Sequence, residues 1–296
     1  MHQDVVMELS EFMKLSGKSQ QQIAKETALS ASVISQFLNQ TYKGNNDEVA
    51  KTIVKYLEMA RLRITGTEHA CFHKDMYNTK SVTFSCFHAH RHGDMALVFG
   101  DAGAGKTTAL EHYANDHTGV VMVTANACTS SAVSVLQMIG RKTGRTFSGK
   151  KELVMSSLVD YFRNTHRLII IDEADHLTMA ALQAVRNLND QAGVGIVFSG
   201  NTKIYTQMLQ GSKCSELEQL RTRITVWNMV KNEYTLEEFK VIFPDLPEQC
   251  IPWLVKLAND KSLRTAIKTL ELAYDCTDKM SVETLKMVNM QLTGGL

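Results

Sequence analysis

A glycine-rich run that ends in Lys and Thr is the first feature of this sequence whose residue types could do chemistry. Residues 100–107 read Gly-Asp-Ala-Gly-Ala-Gly-Lys-Thr and fit the pattern G-x-x-x-x-G-K-[ST]. In such a loop, backbone N–H groups turn inward on phosphates, Lys106 reaches the β and γ phosphates, and the Thr107 hydroxyl binds Mg²⁺. We therefore predict a site for ATP and Mg²⁺ formed by Gly100, Gly103, Ala104, Gly105, Lys106, Thr107 and Thr108.

Two adjacent carboxylates, Asp172 and Glu173, follow the apolar run Leu168–Ile171 and could act on the same phosphates. Asp172 could hold Mg²⁺ through its water shell, and Glu173 could orient and polarise the attacking water. Capping of a following helix is the alternative use for such an acidic pair. A further apolar run leads into Asn201, whose amide could sense the γ phosphate or the water. Ligands bind at the carboxyl edge of a parallel sheet, so these side chains should meet there.

Short apolar runs rich in β-branched residues alternate with helix-like stretches through the middle of the chain. Continuously apolar strands separated by helices predict a parallel sheet covered on both faces. All three prolines lie between residues 244 and 252 and are followed by helical stretches, which indicates a separate C-terminal helical subdomain. The predicted strands are Ala96–Phe99, Val120–Thr124, Leu168–Ile171, Gly195–Ser199 and Ile224–Trp227.

Residues 1–63 have apolar residues at helical spacing and contain no proline, which predicts a small all-helical domain. Within it, residues 19–39 read as two short helices around a tight turn, with Ser30 as the N-cap of the second. This is typical of a helix-turn-helix, in which the second helix offers hydrogen-bonding side chains to the major groove. The candidates for DNA contact on that helix are Ser32, Ser35, Gln36 and Asn39.

A helical protein-interaction domain of the same shape is the alternative for the N-terminal residues. Residues 1–63 carry eight Lys and Arg against seven Asp and Glu, so the charge of this domain would support only modest DNA affinity.

The whole pattern predicts four segments: a helix-turn-helix domain over 1–63, a linker over 64–80, an α/β core over 81–230 and a helical subdomain over 231–296.

The chain has 296 residues and a net charge of +1, so any binding to nucleic acid must come from local patches. One patch lies between residues 141 and 167, a stretch that contains seven basic residues and only two acidic ones. Lys150 and Lys151 follow Gly149 in a predicted loop and are the best contact candidates, although a solvated surface is an equally good interpretation.

Composition also bounds the class of protein. No stretch approaches the ~20 apolar residues that span a bilayer, so we expect a cytoplasmic protein. Six cysteines are scattered without a C-x-x-C pair, which argues against a zinc ribbon or a disulfide framework. We expect them to be reduced and mostly buried.

Together these residues resemble the AAA+ ATPases, with Lys106 in Walker A, Asp172 and Glu173 in Walker B, Asn201 as sensor 1 and Arg264 as sensor 2. The resemblance implies a five-stranded parallel sheet with a helical lid. Within the AAA+ class, the runs Ile170–Leu177, Ser199–Tyr205 and Val33–Asn39, with Tyr42–Asn46, are similar to the Mu B family of phage transposition proteins. That similarity extends over nearly the whole chain and is strongest around Walker B.

Resemblance to the Mu B family implies ATP-dependent, largely sequence-independent binding to double-stranded DNA as helical filaments. It also implies selection of the transposition target, and activation and recruitment of a DDE transposase. Arg223 matches the family's arginine finger, which would act on the ATP of a neighbouring subunit, and Arg221 is a looser match. Two alternatives share parts of the pattern: a helicase-loader type AAA+ ATPase, and a helix-turn-helix regulator that only senses nucleotide.

Overall fold

The fold is known from a computed structural model that describes residues 2–65, 72–145, 149–209, 218–277 and 279–294. The chain divides into two compact units, one formed by residues 1–70 with 274–278 and the other by residues 71–273 with 279–296. Over the described ranges, every helix is too short or too polar to cross a membrane.

The first unit is a small bundle of helices around one apolar core. Ile23 and Ile34 are fully buried there beside Leu9 and Ile53, so each helix contributes to the same core. Ala28 joins the two short central helices in a left-handed conformation (φ 55°), which makes the tight turn between them. The four helices are α1 (His2–Ser16), α2 (Gln20–Thr27), α3 (Ala31–Leu38) and α4 (Asn46–Thr65).

The second unit is built on a five-stranded parallel sheet. Across the sheet the strands follow the order β2 (Val120–Thr124), β3 (Leu168–Asp172), β4 (Gly195–Gly200), β1 (Met95–Gly100) and β5 (Ile224–Val230). Each strand contains the run that the apolar pattern predicts, and the predicted five-stranded parallel sheet is confirmed. Successive side chains of a strand face opposite sides of the sheet, so all five residues Leu168–Asp172 are buried between two layers of helices.

Helices cover both faces of this sheet. Two helices, α5 (Tyr77–His92) and α6 (Lys106–Asp116), pack on the face to which Ala96 and Val98 point. Three helices cover the face to which Leu97 points: α7 (Ala132–Lys142), α8 (Lys151–Phe162) and α9 (Met179–Ala192).

The remaining helices follow β4 and β5. Helix α10 (Thr202–Leu209) comes directly after β4, and the short α11 (Glu218–Arg221) precedes β5. Helices α12 (Leu236–Ile242), α13 (Ile251–Asp260), α14 (Leu263–Cys276) and α15 (Val282–Thr293) form the C-terminal helical segment, which we call the lid. The prolines fit this arrangement, because Pro252 occupies the first turn of α13, where its missing N–H costs no hydrogen bond.

The structure differs from the sequence-based expectations at three places. The stretch 64–80 was expected to be a linker, but α4 ends at Thr65 and α5 begins at Tyr77, while residues 66–71 lie outside the described residues. The start of α5 escapes the apolar pattern because it buries the polar residues Asn78 and Thr79.

Lys151 was expected in a loop but is the first residue of α8, and Lys150 is the N-cap residue. Glu152 then lies in the first turn, where an acidic side chain is favourable. Among the described cysteines, Cys86 and Cys250 are buried, whereas Cys128 and Cys276 are exposed, so the expectation of mostly buried thiols is wrong for half of these four. Cys71 and Cys214 lie outside the described residues.

Ser30 is the N-cap of α3, as the sequence predicts, and its hydroxyl accepts a hydrogen bond from the Val33 amide at 3.2 Å. Replacement of a capping serine by alanine costs ~1 kcal/mol. We therefore expect Ser30→Ala to speed hydrogen exchange of the α3 amides about fivefold in the full chain, because local opening becomes less costly. Ser30→Asn should exchange like wild type because asparagine caps equally well. Equal exchange in both variants would contradict this capping role.

Candidate active site

The glycine-rich run, which we call the P-loop (residues 100–107), connects the end of β1 to the start of α6. Gly103 and Gly105 adopt positive φ angles of 71° and 87°, which favour glycine. At Gly103 there is a second constraint, because an added Cβ would lie 3.0 Å from the side chain of Ser262 and 3.1 Å from that of Arg264. The lid therefore packs directly on the P-loop, and only glycine fits between them.

Lys106 is the first residue of α6, and its ammonium folds back over the loop. Nζ donates hydrogen bonds to the carbonyls of Gly100 at 3.0 Å and Asp101 at 2.7 Å. Burial lowers the pKa of Lys106, and the negative charges of Asp172 and Glu173 act in the opposite direction. The helix N-terminus and this partly desolvated cation together favour a polyphosphate.

Asp172 ends β3 and is a buried carboxylate, 2% exposed. Its Oδ2 accepts a hydrogen bond from the Thr107 hydroxyl at 2.6 Å, and its Oδ1 accepts one from the Ser199 hydroxyl at 2.7 Å. The backbone N–H of Glu173 also donates to Oδ1, at 3.0 Å. The carboxylate thus joins α6, β3 and β4, and it lies beside the hydroxyl that the sequence predicts as a Mg²⁺ ligand.

Glu173 lies at the mouth of the site in a left-handed conformation (φ 52°), which is uncommon for a residue with a side chain. Strained backbone of this kind clusters at functional sites, where the surrounding structure holds it. Here the turn points the exposed Glu173 side chain into the cavity rather than along the helix that follows. The alternative use of the acidic pair as a side-chain helix cap finds no support, because Glu173 makes no such bond.

Asn201 follows β4 and is held by Asp175, a residue that the sequence reasoning did not select. Asn201 Nδ2 donates to Asp175 Oδ2 at 2.8 Å, and its backbone N–H donates to Oδ1 at 3.2 Å. Asp175 is 6% exposed. A Cβ at Gly200 would lie 2.7 Å from Asp175 Oδ1, so the glycine makes room for this contact. The only sequence signal was the position of Asp175 three residues after Asp172.

These groups surround a cavity of about 340 Å³ between the sheet edge and the lid. Arg264 lines it near the start of α14, and its backbone N–H donates to the Gly103 carbonyl at 3.2 Å. Of the predicted phosphate contacts, Gly100 and Ala104 shape the loop without lining the cavity. The lining residues are Ala102, Gly103, Gly105, Lys106, Thr107, Thr108, Glu173, Gly200, Asn201, Leu263, Arg264, Ile267, Lys268 and Glu271.

Asn232 connects the P-loop to the lid and was also missed from the sequence. Its backbone N–H donates to Asp101 Oδ2 at 2.9 Å, and its Nδ2 lies 3.3 Å from the Ala102 carbonyl and 3.4 Å from the Lys261 carbonyl. These contacts join residues 131 and 29 positions apart in the chain, so no local pattern reveals them. They fix the end of β5 against both walls of the cavity.

The two arginines before β5 lie outside the cavity. Arg223 is exposed and forms an ion pair with Asp190 on α9, with Nε 2.9 Å from Oδ1. Arg221 ends α11 and lines a different surface depression with Tyr205 and Trp227. The structure therefore brings Lys106 and the other residues predicted to contact ATP within one chain to a single cavity. It does not bring Arg221 or Arg223 to that cavity.

The predicted DNA contacts lie on the surfaces of both units. Ser32, Gln36 and Asn39 on and just after α3 are exposed, whereas Ser35 is half-buried. Lys150 and Lys151 are exposed at the start of α8. Elsewhere in the basic stretch, Arg145 and Arg167 both lie over the ring of Tyr161, at 4.9 Å and 4.6 Å from its centroid.

The residues of the cavity fit ATP and Mg²⁺. Gly103 and Gly105 of the P-loop line the cavity without a side chain, and Thr107 and Asp172 present two oxygens 2.6 Å apart, the hard ligands that Mg²⁺ prefers. A bound Mg²⁺ would neutralise phosphate charge. Thr107 and Asp172 would hold it, and Lys106 would bind the phosphates.

Comparison with known proteins decides the family. Residues 89–208 match the model of an AAA domain. The chain is 31% identical over 222 residues to the Mu-like prophage FluMu DNA transposition protein B of Haemophilus influenzae, covering 74% of this chain and 77% of that protein. The chain belongs to the Mu B family of transposition proteins. It is also 30% identical over 204 residues to the ATP-dependent target DNA activator B of Escherichia phage Mu, covering 69% of this chain and 65% of that protein.

Solved structures agree on the fold of this Mu B family member. A Walker-type ATPase of Pyrococcus abyssi superposes with a TM-score of 0.54 at 14% identity, over 76% of this chain and 73% of that one. A structure of Drosophila ORC bound to DNA gives a TM-score of 0.54 at 13% identity, over 78% and 66%. At these identities the similarity supports the AAA-type fold alone.

If Asp175 holds Asn201 in position, its loss should slow turnover without weakening nucleotide binding. We expect Asp175→Ala to lower kcat at least ~10-fold, because a misplaced polar group at the reacting phosphate loses transition-state stabilisation. The Kd for a fluorescent ATP analogue should stay within about twofold. Asp175→Asn keeps one acceptor for Asn201 and should lose less.

Turnover and nucleotide affinity are measured on the same preparations to test this role. Equal loss of ATP affinity and kcat in Asp175→Ala would contradict a positioning role, because it would indicate damage to the whole site.

Proposed function

We propose that this Mu B family member is an ATP-hydrolysing, DNA-binding AAA+ protein. It assembles on target DNA as helical filaments, selects that DNA for transposition, and activates and recruits a DDE transposase. The observation that carries the proposal is that the cavity of one chain has every predicted group around it except the arginine finger. Lys106, Glu173, Asn201 and Arg264 surround it, but Arg223 lies elsewhere on the surface. A neighbouring subunit would supply the missing arginine.

The roles of the cis residues follow from their positions. Lys106 binds the phosphates, and Thr107 with Asp172 holds Mg²⁺. Glu173, exposed at the mouth of the cavity, takes the proton from the attacking water or orients it. Asn201 is held by Asp175 to contact the γ phosphate or the water, and Arg264 carries the nucleotide state to the lid. Arg223 of the adjacent subunit neutralises charge that develops on the γ phosphate.

The same arrangement couples ATP to DNA binding. Each subunit presents Lys150 and Lys151 on one unit and the exposed polar face of α3 on the other, with a net charge of only +1. Weak contacts of this kind gain affinity when many copies lie side by side on one DNA molecule. Phosphate contacts carry no sequence information, so binding would be largely sequence-independent. The names of the relatives in Haemophilus and in phage Mu support this reading.

The first test is the ATPase rate against protein concentration, with and without non-specific duplex DNA, together with electron micrographs of the ATP-bound mixture. A rate per subunit that rises steeply with concentration, stimulation by DNA, and filaments on DNA of any sequence would support the proposal. A rate independent of concentration, with tight binding to one operator, would instead indicate a nucleotide-sensing regulator. Stimulation by a replicative helicase and not by a transposase would indicate a helicase loader.

Glu173→Gln should separate nucleotide binding from hydrolysis. We expect kcat to fall ~10²-fold to 10⁴-fold, because the amide cannot accept a proton from water. ATP affinity and DNA-bound filaments should persist, since the phosphate contacts of Lys106 remain. Single-turnover hydrolysis and filter binding of ATP measure the two effects. Unchanged hydrolysis in this variant would mean that the site does not turn over ATP as described.

Lys150→Gln combined with Lys151→Gln should weaken DNA binding equally for all sequences. Loss of two phosphate contacts would reduce the slope of log K against log salt by roughly 2. Fluorescence anisotropy with labelled duplexes at several salt concentrations measures this slope. The matched control is Lys256→Gln with Lys286→Gln, two exposed lid lysines, which should leave the slope unchanged. Equal slopes in the two double variants would remove α8 from the DNA surface.

A further inference from the structure

Arg223 is fixed at one edge of its guanidinium by a carboxylate of another element. Its Nε lies 2.9 Å from Asp190 Oδ1, while the side chain as a whole is 56% exposed. The backbone is also fixed, because the Arg223 amide donates to the Leu220 carbonyl at 3.0 Å, directly before β5 begins. Within the described ranges, Arg223 forms no second ion pair, so the outer edge of the guanidinium keeps its N–H donors.

Asp190 is itself held in place by a second arginine. Its Oδ2 lies 3.3 Å from Nη1 of Arg186, one turn earlier on α9, and the Asp190 side chain is only 26% exposed. Arg186 is 16% exposed and is tied by Nη2 to Asn187 Oδ1 at 2.6 Å. The carboxylate therefore lies between a half-buried arginine, Arg186, and an exposed arginine, Arg223.

Side-chain exposure increases from Arg186 through Asp190 to Arg223, so the inner residues can hold the outer one in place. An unattached arginine side chain has many rotamers, and a finger must hold its donors where charge develops in the transition state. Arg186 and Arg223 share this one carboxylate and form no other ion pair in the described part of the chain, so one positive charge stays uncompensated there. The cluster can therefore still attract a phosphate after the ion pairs are made.

We propose that Asp190 is the positioning residue for Arg223, holding the guanidinium by its Nε so that the outer donors meet the γ phosphate of the neighbouring subunit's ATP. The inference rests on the proposed function, because it assumes that Arg223 acts in trans. A count of charges predicts the opposite result for Asp190→Asn: without the carboxylate, the cluster is more positive and should attract phosphate more strongly. If Asp190 positions Arg223, the same substitution should instead weaken the action of Arg223 on the neighbouring subunit's ATP.

The test uses mixed subunits in the presence of duplex DNA. A Lys106→Ala subunit cannot hold the triphosphate but still donates Arg223, and an Arg223→Ala subunit binds ATP but lacks the finger. Each is expected to be inactive alone, and the mixture should recover activity. Asp190→Asn is then placed either in the donor, with Lys106→Ala, or in the acceptor, with Arg223→Ala.

We expect Asp190→Asn in the donor to lower the recovered kcat at least ~10-fold, with the KM for ATP unchanged. In the acceptor it should change little, because that subunit has no finger to position. A general structural defect would lower the rate from either side. Asp190→Glu keeps the charge beside Arg186 but moves the carboxylate by one methylene, so in the donor it should give an intermediate rate. It also keeps the test decisive if the asparagine variant is less stable.

The matched control is Asp245→Asn, an exposed aspartate before α13 for which no ion pair is seen in the described part of the chain. In the donor it should leave the recovered rate unchanged. If the parental pair recovers no activity, action in trans fails and the proposed function fails with it. If the parental pair recovers but the donor with Asp190→Asn is equally active, Asp190 does not position Arg223. A faster donor would show that Asp190 restrains the finger, which would also overturn the inference.

Discussion

The buried carboxylate of Asp172 is the interaction on which the rest of this site depends. A charge that is 2% exposed must have its lone pairs satisfied by the protein, because an unpaired buried charge costs several kcal/mol. The three donors come from different elements: the Thr107 hydroxyl from α6, the Ser199 hydroxyl from β4, and the Glu173 amide just beyond β3. The strand order places β4 between β1 and β3, so these donors converge only when these three strands are paired.

The sheet core stabilises local structure that would be unfavourable alone. Glu173 at φ 52° costs roughly 1 kcal/mol or more relative to an ordinary conformation, and Lys106 keeps a positive charge in a partly desolvated position. Both costs fall on residues that we propose to act on phosphate and not on residues of the core. The strands that flank them, such as Leu168–Asp172, are buried throughout, and the free energy of that burial offsets these costs. Stability and function are therefore divided between the inside of the sheet and its carboxyl edge.

The sequence alone identifies those candidate site residues whose place follows from a local pattern. Lys106 and Thr107 are defined by spacing within one loop, and Asp172 and Glu173 by their place after an apolar run. Asp175, Asn232 and Asp190 were not found, because each acts through a partner 26 or more residues away. The first turn of helix α5 falls within the predicted linker for a related reason: Asn78 is buried but polar, and its Nδ2 donates to the Lys231 carbonyl 153 residues away. Hydrophobic periodicity cannot register a buried residue of this kind.

The division between cis and trans groups follows from the same geometry. Residues that must respond to nucleotide within one chain lie on loops that the sheet edge or the lid contacts directly, as the Arg264 amide does at Gly103. Arg223 precedes β5, the edge strand of the sheet, and its anchor Asp190 lies on α9. If Arg223 acts on ATP as proposed, it would do so across a subunit boundary, because it does not line the cavity of its own chain. In the proposed filament, ATP would be both the ligand of one subunit and part of the contact with the next, so hydrolysis would weaken assembly and DNA binding together.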